Sequence, residues 1–556
     1  MTQPAWTPFS QSPRGPRHRR HPGLLRMLTA GLCLATPVGA ATITVTGTGD
    51  TVAVDGVVTL REAIDSLNGG ANVNADVVAV GAYGTDDRIH FAIPGAGVQT
   101  IQPASALPDL EVPMTIDGYT QPGASVNTQV LSDDAVLLIE LDGTLTGGAV
   151  GLTVATTAGG TTIRGLVVNR FGHAILLNVA DDCVIAGNFL GTDASGTIDL
   201  GNTGNGVWVF FGGRNTIGGP DPADRNLLSG NLAGVDVQGA SDTTVIQGNF
   251  VGTDATGTVA IPNFTGVRVF GSSGDQVGGK APGEGNVISG NTFAGVALLG
   301  SSFVSVEGNL IGTDATGSAP LPNSGDGVLI GATIVGPSSA NTIGASSAQG
   351  GNVIAFNLGN GINVQTPPMS AFEHFANTFL ANSIFDNLLL GIDLGGDGVT
   401  PNDPCDTDTG HNSLQNYPEL TAVVSSGGTT TITGTLDSTP NVLFSLAFFS
   451  SPACDPSGFG EGRTFLGFEP VMTDGSCIGT IDVTLPVAVA PGDVVTAIAR
   501  PSDPTTDTSE FSACLGLGAA IDMSEIPVLS GLGLAVLCVL LAAAALALLS
   551  STKLFS

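Results

Sequence analysis

The stretch GNFLGTDASGT at 187–197 returns as GNFVGTDATGT at 248–258 and again as GNLIGTDATGS at 308–318. A reaction centre is rarely needed three times over, whereas a corner in a stacked architecture is. Turn chemistry accounts for the letters. Asp193, Asp254 and Asp314 open four-residue segments that Gly196, Gly257 and Gly317 close, the residue preferences of a type I turn. Asn188, Asn249 and Asn309 follow glycine at a corner where a left-handed residue fits, since Asn tolerates that conformation. Their side chains can also bond the neighbouring coil, and Asn231, Asn291 and Asn357 close a second recurring run in the same way.

Outward from these corners, residues 150–400 consist of short β-branched runs such as GVWVFFG, GVDVQG, TTVIQGN, GVRVFG and NVISGN, each bounded by Gly or Asn. No ten-residue helical period interrupts them, so the expected class is all-β and the architecture a solenoid of stacked coils. About 22 residues per coil and ~4.8 Å between coils give ten or eleven coils and a rod ~50 Å long. Exposed strand edges at its end need a cover. TLREAIDSLN supplies one: Thr59 and Glu62 have capping-box spacing, and Leu60, Ala63, Ile64 and Leu67 form one apolar helical face.

Of 556 residues, 80 are glycine, only 12% are charged and only 5% are aromatic, which sets the chain apart from a mixed globular enzyme. The net charge is −32, and every acidic residue lies after position 40; nucleic-acid binding is excluded. Residues 1–40 read as a signal peptide, the basic RGPRHRRHPGLLR followed by the apolar MLTAGLCLATPVGA. The expected order continues with an N-terminal cap and first coils (41–149), parallel β-helix repeats (150–417), a β-sandwich of longer strands such as TTTITGTLD and VLFSLAFFS (418–515), a linker (516–525) and an apolar tail (526–556). Val528–Leu549 carries no charge and has the length of a transmembrane helix. Cys454 with Cys514 and Cys405 with Cys477 are candidate disulfides in an oxidising compartment, while Cys183 reads as a buried small apolar residue.

Four motifs carry a resemblance. TLREAIDSLN resembles the CSLREA domain of bacterial surface proteins, and the repeats resemble their right-handed parallel β-helix, a pectate-lyase-like solenoid. SPACDPSGFGEGRTFLG with TSEFSAC resembles their C-terminal β domain, and IPVLSGLGLAVL at Ile526 resembles the IPTL-CTERM sorting tail. The resemblance implies export to the cell surface or envelope, a membrane anchor through the C-terminal helix, and a sorting enzyme as partner. It implies no reaction.

Chemistry is weakly signalled. The Asp181-Asp182 pair after His173 is the best local candidate for the paired carboxylates of a glycoside hydrolase, but an exposed turn explains it as well. No catalytic residue is assigned. Lys280 is the only lysine between 41 and 525, which disfavours lyase chemistry with a cationic proton acceptor. A structural calcium is the one cofactor suggested, by Asp393, Asp397, Asp403, Asp406 and Asp408 crowding one loop. The expected function is therefore a non-catalytic stalk, adhesion or glycan-contact surface, with a polysaccharide-degrading lyase or hydrolase as the alternative and a surface glycan or protein as partner. Trp208 discriminates: exposed, it favours a sugar or partner surface; buried, an ordinary core.

Overall fold

The computed structural model describes residues 40–239, 243–332, 336–365, 372–502 and 507–518. Three all-parallel sheets run the length of the repeats. The first has eleven strands, from Thr42–Val45 through Asp87–Phe91 to Thr378–Phe379; the second has ten, from Gln99–Ile101 to Ser383–Phe385; the third has nine, from Leu152–Val154 to Ile392–Leu394. Each strand pairs with the one a coil before and a coil after, the topology of a parallel β-helix.

The coils stack because the same inward position is apolar in every turn. Ile163, Ile185, Ile217 and Ile246 are register partners on the first sheet, and Leu190, Leu228, Val251, Ile288 and Ile311 on the second; all are fully buried. Burying a Val, Leu or Ile side chain contributes about 1.5–3 kcal/mol, so ladders of this length offset much of the cost of ordering many short strands. The sixty-residue period spans two coils. One coil carries the GTDxxG excursion between second and third sheets, and the next has its longer connection between first and second, around Pro222–Asp224.

The corners do what turn chemistry predicts, with one correction. Gly196, Gly257 and Gly317 N–H groups donate to the carbonyls of Asp193, Asp254 and Asp314 at 3.0, 2.9 and 2.9 Å. The left-handed conformation, however, belongs to the preceding glycines, Gly187, Gly248 and Gly308 at φ 68, 67 and 69°, and not to Asn188, Asn249 and Asn309. A glycine occupies that region without a Cβ penalty, which frees the asparagine side chain to point inward. Asn188, Asn226, Asn249, Asn286, Asn309, Asn352 and Asn382 form a continuous ladder, each Nδ2 donating to the next Oδ1 at 2.9–3.1 Å. A second ladder joins Asn202, Asn231, Asn263, Asn291, Asn323, Asn357 and Asn387 at the next corner.

Both ends are covered. Helix α1, Leu60–Gly69, begins at the Thr59–Glu62 capping box and buries Leu60, Ala63, Ile64 and Leu67 in the same core as Ile43 and Ile89. At the other end, antiparallel sheets of three and four strands enclose a separate core around Ile432, Phe444, Phe448 and Ile481. Loops from this part terminate every solenoid sheet. Ile384 N–H donates to Gly462 O at 2.9 Å, Phe379 N–H to Thr508 Oγ1 at 3.0 Å, and Leu394 N–H to a Glu510 carboxylate oxygen at 2.8 Å. Glu461 occupies the next rung of the second asparagine ladder and accepts from Asn387 Nδ2 at 2.8 Å. Disulfide Cys454–Cys514 ties these loops together and Cys405–Cys477 joins the segment after the last coil to a turn of the antiparallel part; such bonds persist in oxidising compartments, consistent with export.

The expected transmembrane helix is corrected. Among the described residues no helix is long and apolar enough to cross a membrane. The ten-residue α1 spans ~15 Å, half a bilayer core. The tail at 526–556 lies outside the described residues, as do 1–39 of the expected signal peptide.

Candidate functional site

Stacking gives the rod three long outer faces, and their residues differ. The first face carries mostly small polar residues such as Thr162, Thr216, Gln276, Ser305 and Thr342, an ordinary solvated surface. The second is roofed. Its outward Val167, Phe189, Leu227, Phe250 and Val287 are buried with Ala255 and Ala315 of the repeated aspartate turns. Those turns touch one another across two coils, Ala255 N–H to Gly196 O and Ala315 N–H to Gly257 O, both at 2.9 Å. The aspartates serve these turns: Asp193 accepts from Ser195 Oγ at 2.7 Å and from the Thr197 and Ile198 N–H groups at 3.1 Å.

The third face is open and chemically varied. Its central outward row, in register from coil to coil, reads Leu176, Trp208, Asp236, Arg268, Ala297, Leu329, Asn363, Asp393. Trp208 is partly exposed on this face, outside the core. His173 stacks on it with centroids 4.7 Å apart, Phe210 lies 5.1 Å away, and Phe211 meets Phe210 edge-on at 4.6 Å. His173 Nδ1 accepts from Asn205 N–H at 2.9 Å, and burial pushes its pKa below the usual value, so the neutral imidazole is the form that packs here. Beside the aromatics, the buried Asp236 carboxylate accepts from Arg268 Nε at 2.8 Å, Asn205 Nδ2 at 2.9 Å and Gln238 Nε2 at 2.7 Å. Trp208 Nε1 and Asn205 Oδ1 are buried without a hydrogen-bond partner.

Phe211 holds φ 53° at a corner where the equivalent residue one coil before is Val179 at φ 56° and those one, two and three coils on are Gly239, Gly271 and Gly300 at φ 62, 58 and 62°. A bulky side chain there costs about 1–2 kcal/mol, yet its ring is 55% exposed and gains little from burial.

The other candidate residues separate. Asp181 and Asp182 bind Arg214, at 3.1 and 2.9 Å, beyond the far end of the strand that His173 precedes; the three do not converge. The five loop aspartates also divide. Asp403, Asp406 and Asp408 each place one oxygen within 4.8 Å of the others, a donor set that fits a hard divalent cation. Asp408 Oδ1 there is buried without a partner, while Asp403 already accepts from Thr407 and Asp406 from Ser438 and Asn416. Asp393 and Asp397 lie apart from this trio in a groove on the third face. Cys183 is a buried free thiol whose pKa burial raises to about 11, an inert environment.

No family model matches the chain, and no curated protein does. Among solved structures, the enzymatically active domain of tailspike protein 2 from bacteriophage CBA120 is similar at 11% identity and a TM-score of 0.26, over 79% of this chain and 73% of that one. The corresponding domain of tailspike protein 4 from the same phage gives 13% identity and a TM-score of 0.21, over 78% and 63%. A tailspike of Acinetobacter baumannii bacteriophage Fri1, a capsular polysaccharide depolymerase, gives 11% and 0.18, over 77% and 79%. These likenesses assign no residue of the third face.

Proposed function

We propose that the protein is an exported glycan-contact protein whose β-helix presents its third outer face to carbohydrate. The observation that carries this reading is the aromatic platform of His173, Trp208, Phe210 and Phe211, held on a rigid sheet with Phe211 strained and exposed. A sugar ring offers an apolar C–H face and a rim of hydroxyls. Aromatic rings stack on the former, and the adjoining Asp236, Gln238 and Arg268 meet the latter. Rigid strands keep these groups in place, which limits the ordering cost of binding. The separation of His173 from Asp181 and Asp182 removes the support for the degrading enzyme that those residues suggested.

The test is a glycan array with the full chain, followed by calorimetric titration of the tightest ligand. Trp208→Ala is expected to weaken binding at least tenfold, with melting temperature changed by a few degrees at most. Phe211→Gly is expected to weaken binding while altering stability by less than about 1 kcal/mol, because relief of backbone strain offsets the lost ring contact. A wild-type protein that binds no glycan, or a Trp208→Ala variant that binds as wild type does, would overturn the reading.

A further inference from the structure

We infer that a groove of about 510 Å³ at the C-terminal end of the third face is a saccharide subsite selective for uncharged or amino-bearing sugars over uronates; this rests on the glycan-contact reading above. The groove is lined by Asp326, Asn363, Leu388, Leu389, Asp393 and Asp397. Asn363 is 5% exposed and is the register partner of Asp393 on the last strand. Its Nδ2 donates to Asp326 Oδ2 at 3.0 Å, but its Oδ1 is buried with no partner. A buried acceptor left in that condition is costly, and a ligand that brings a donor removes the cost.

The neighbouring groups define that ligand. Asp326 accepts from Asn360 N–H at 2.8 Å, and Asp393 from Gly396 and Gly398 N–H at 2.9 and 3.3 Å. Neither lysine nor arginine lines the groove, so no side-chain cation there meets an anionic ligand, and carboxylates dominate its charge. A ligand with hydroxyl or ammonium donors fits; one with a carboxylate meets Asp326, Asp393, Asp397 and, across the groove, Asp455. Leu388 and Leu389, both exposed, provide an apolar wall for the C–H face of a sugar. A lone divalent cation is the poorer occupant. Among the described residues, the carboxylate cluster whose ligand atoms converge within 4.8 Å lies elsewhere, at Asp403, Asp406 and Asp408. Five strand spacings separate Trp208 from Asn363, ~24 Å along the rod, so one extended oligosaccharide reaches both stations.

Calorimetric titration of the full chain with a neutral hexose oligomer, a glucosamine oligomer and oligogalacturonate tests the assignment. Binding of the neutral or the glucosamine oligomer and none of oligogalacturonate is expected, with at least tenfold weakening in Asp326→Asn and Asn363→Leu. Because Asn363 is buried, Leu388→Asp, on an exposed side chain, provides a variant that leaves the fold undisturbed and is expected to weaken the same ligand. Binding lost in Trp208→Ala but retained in all three groove variants, or oligogalacturonate bound as tightly as the others, overturns the groove and leaves the platform standing. A wild-type protein that binds none of the three, nor any glycan on the array, sinks the glycan reading itself.

Discussion

Replacing Asn249 by leucine is expected to lower the unfolding free energy by about 4 kcal/mol, far more than a typical polar-to-apolar change of similar size. The residue is fully buried. Its Nδ2 donates to Ile217 O, Gln247 O and Asn286 Oδ1 at 2.9, 2.9 and 3.0 Å, and its Oδ1 accepts from Asn226 Nδ2 at 3.0 Å and Asn226 N–H at 3.2 Å. Leucine satisfies none of these, so backbone and amide groups of two adjacent coils lose partners where water cannot replace them. Stability in a stacked array is nearest-neighbour in character, so the break is felt on both sides. Urea denaturation followed by circular dichroism measures the loss, with Thr216→Val on the solvated first face as a control expected to shift stability by less than about 0.5 kcal/mol. A cost below about 1 kcal/mol for Asn249→Leu would show that the ladder orders the corners without stabilising them.

The second large effect is on acidity. Thermal stability is expected to be greater near pH 5 than at pH 8.5. Burial between the last coil and its cap raises the Glu461 pKa to about 8, against the pull of hydrogen bonds from Asn387. Burial likewise raises Glu510 to about 7 and Asp133, Asp275 and Asp406 to about 6. A group whose folded pKa lies above its unfolded value contributes fully below the unfolded pKa, and the contribution is lost as pH rises through the folded one. For Glu461 that window runs from about 4.5 to about 8 and amounts to on the order of 5 kcal/mol. His374 acts in the opposite sense. Burial, with His411 beside it, lowers its pKa to about 4, so its contribution fades as pH falls from about 6.5 towards 4. Between pH 5 and 6 the five raised carboxylates outweigh His374, and above pH 6.5 only Glu461 and Glu510 still titrate, so the balance favours pH 5 over pH 8.5. Glu461→Gln removes one titrating group and is expected to flatten the alkaline limb; melting temperatures that rise from pH 5 to 8.5, or a variant that keeps the wild-type slope, would refute the assignment.

The third face was partly spelled in the repeats. In GVWVFFG, GVDVQG, GVRVFG, GINV and GIDLG the letter after Gly-Val or Gly-Ile is Trp208, Asp236, Arg268, Asn363 and Asp393, the outward row of the third sheet. Period-two alternation says that these letters share a face, so the row could be found once the runs were aligned. Which face stays open could not. That depends on the aspartate turns folding over the second sheet, a packing of Ala255 and Ala315 onto Phe189 and Phe250 that no local rule dictates. The Thr59–Glu62 cap was legible because its signal is short and its partner chemistry specific, whereas the cysteine pairs, 72 and 60 residues apart, were only candidates until the fold brought them together.

What the sequence determined by itself is the coil: strand-length apolar runs bounded by glycine and asparagine, a tight turn from aspartate to glycine repeated three times, and a helix to close the first end. Tertiary structure alone decided which residue of each corner turns left-handed, how far the asparagine ladders run, and how the open end is finished. Asn188 and its successors are ladder rungs instead of left-handed corner residues, and Glu461, Thr508 and Glu510 reach from loops distant in sequence to close three sheet edges. Local propensity encodes the conformation of one turn, whereas a hydrogen bond between coils or a cap on an open edge exists only after residues far apart in the chain have been brought together.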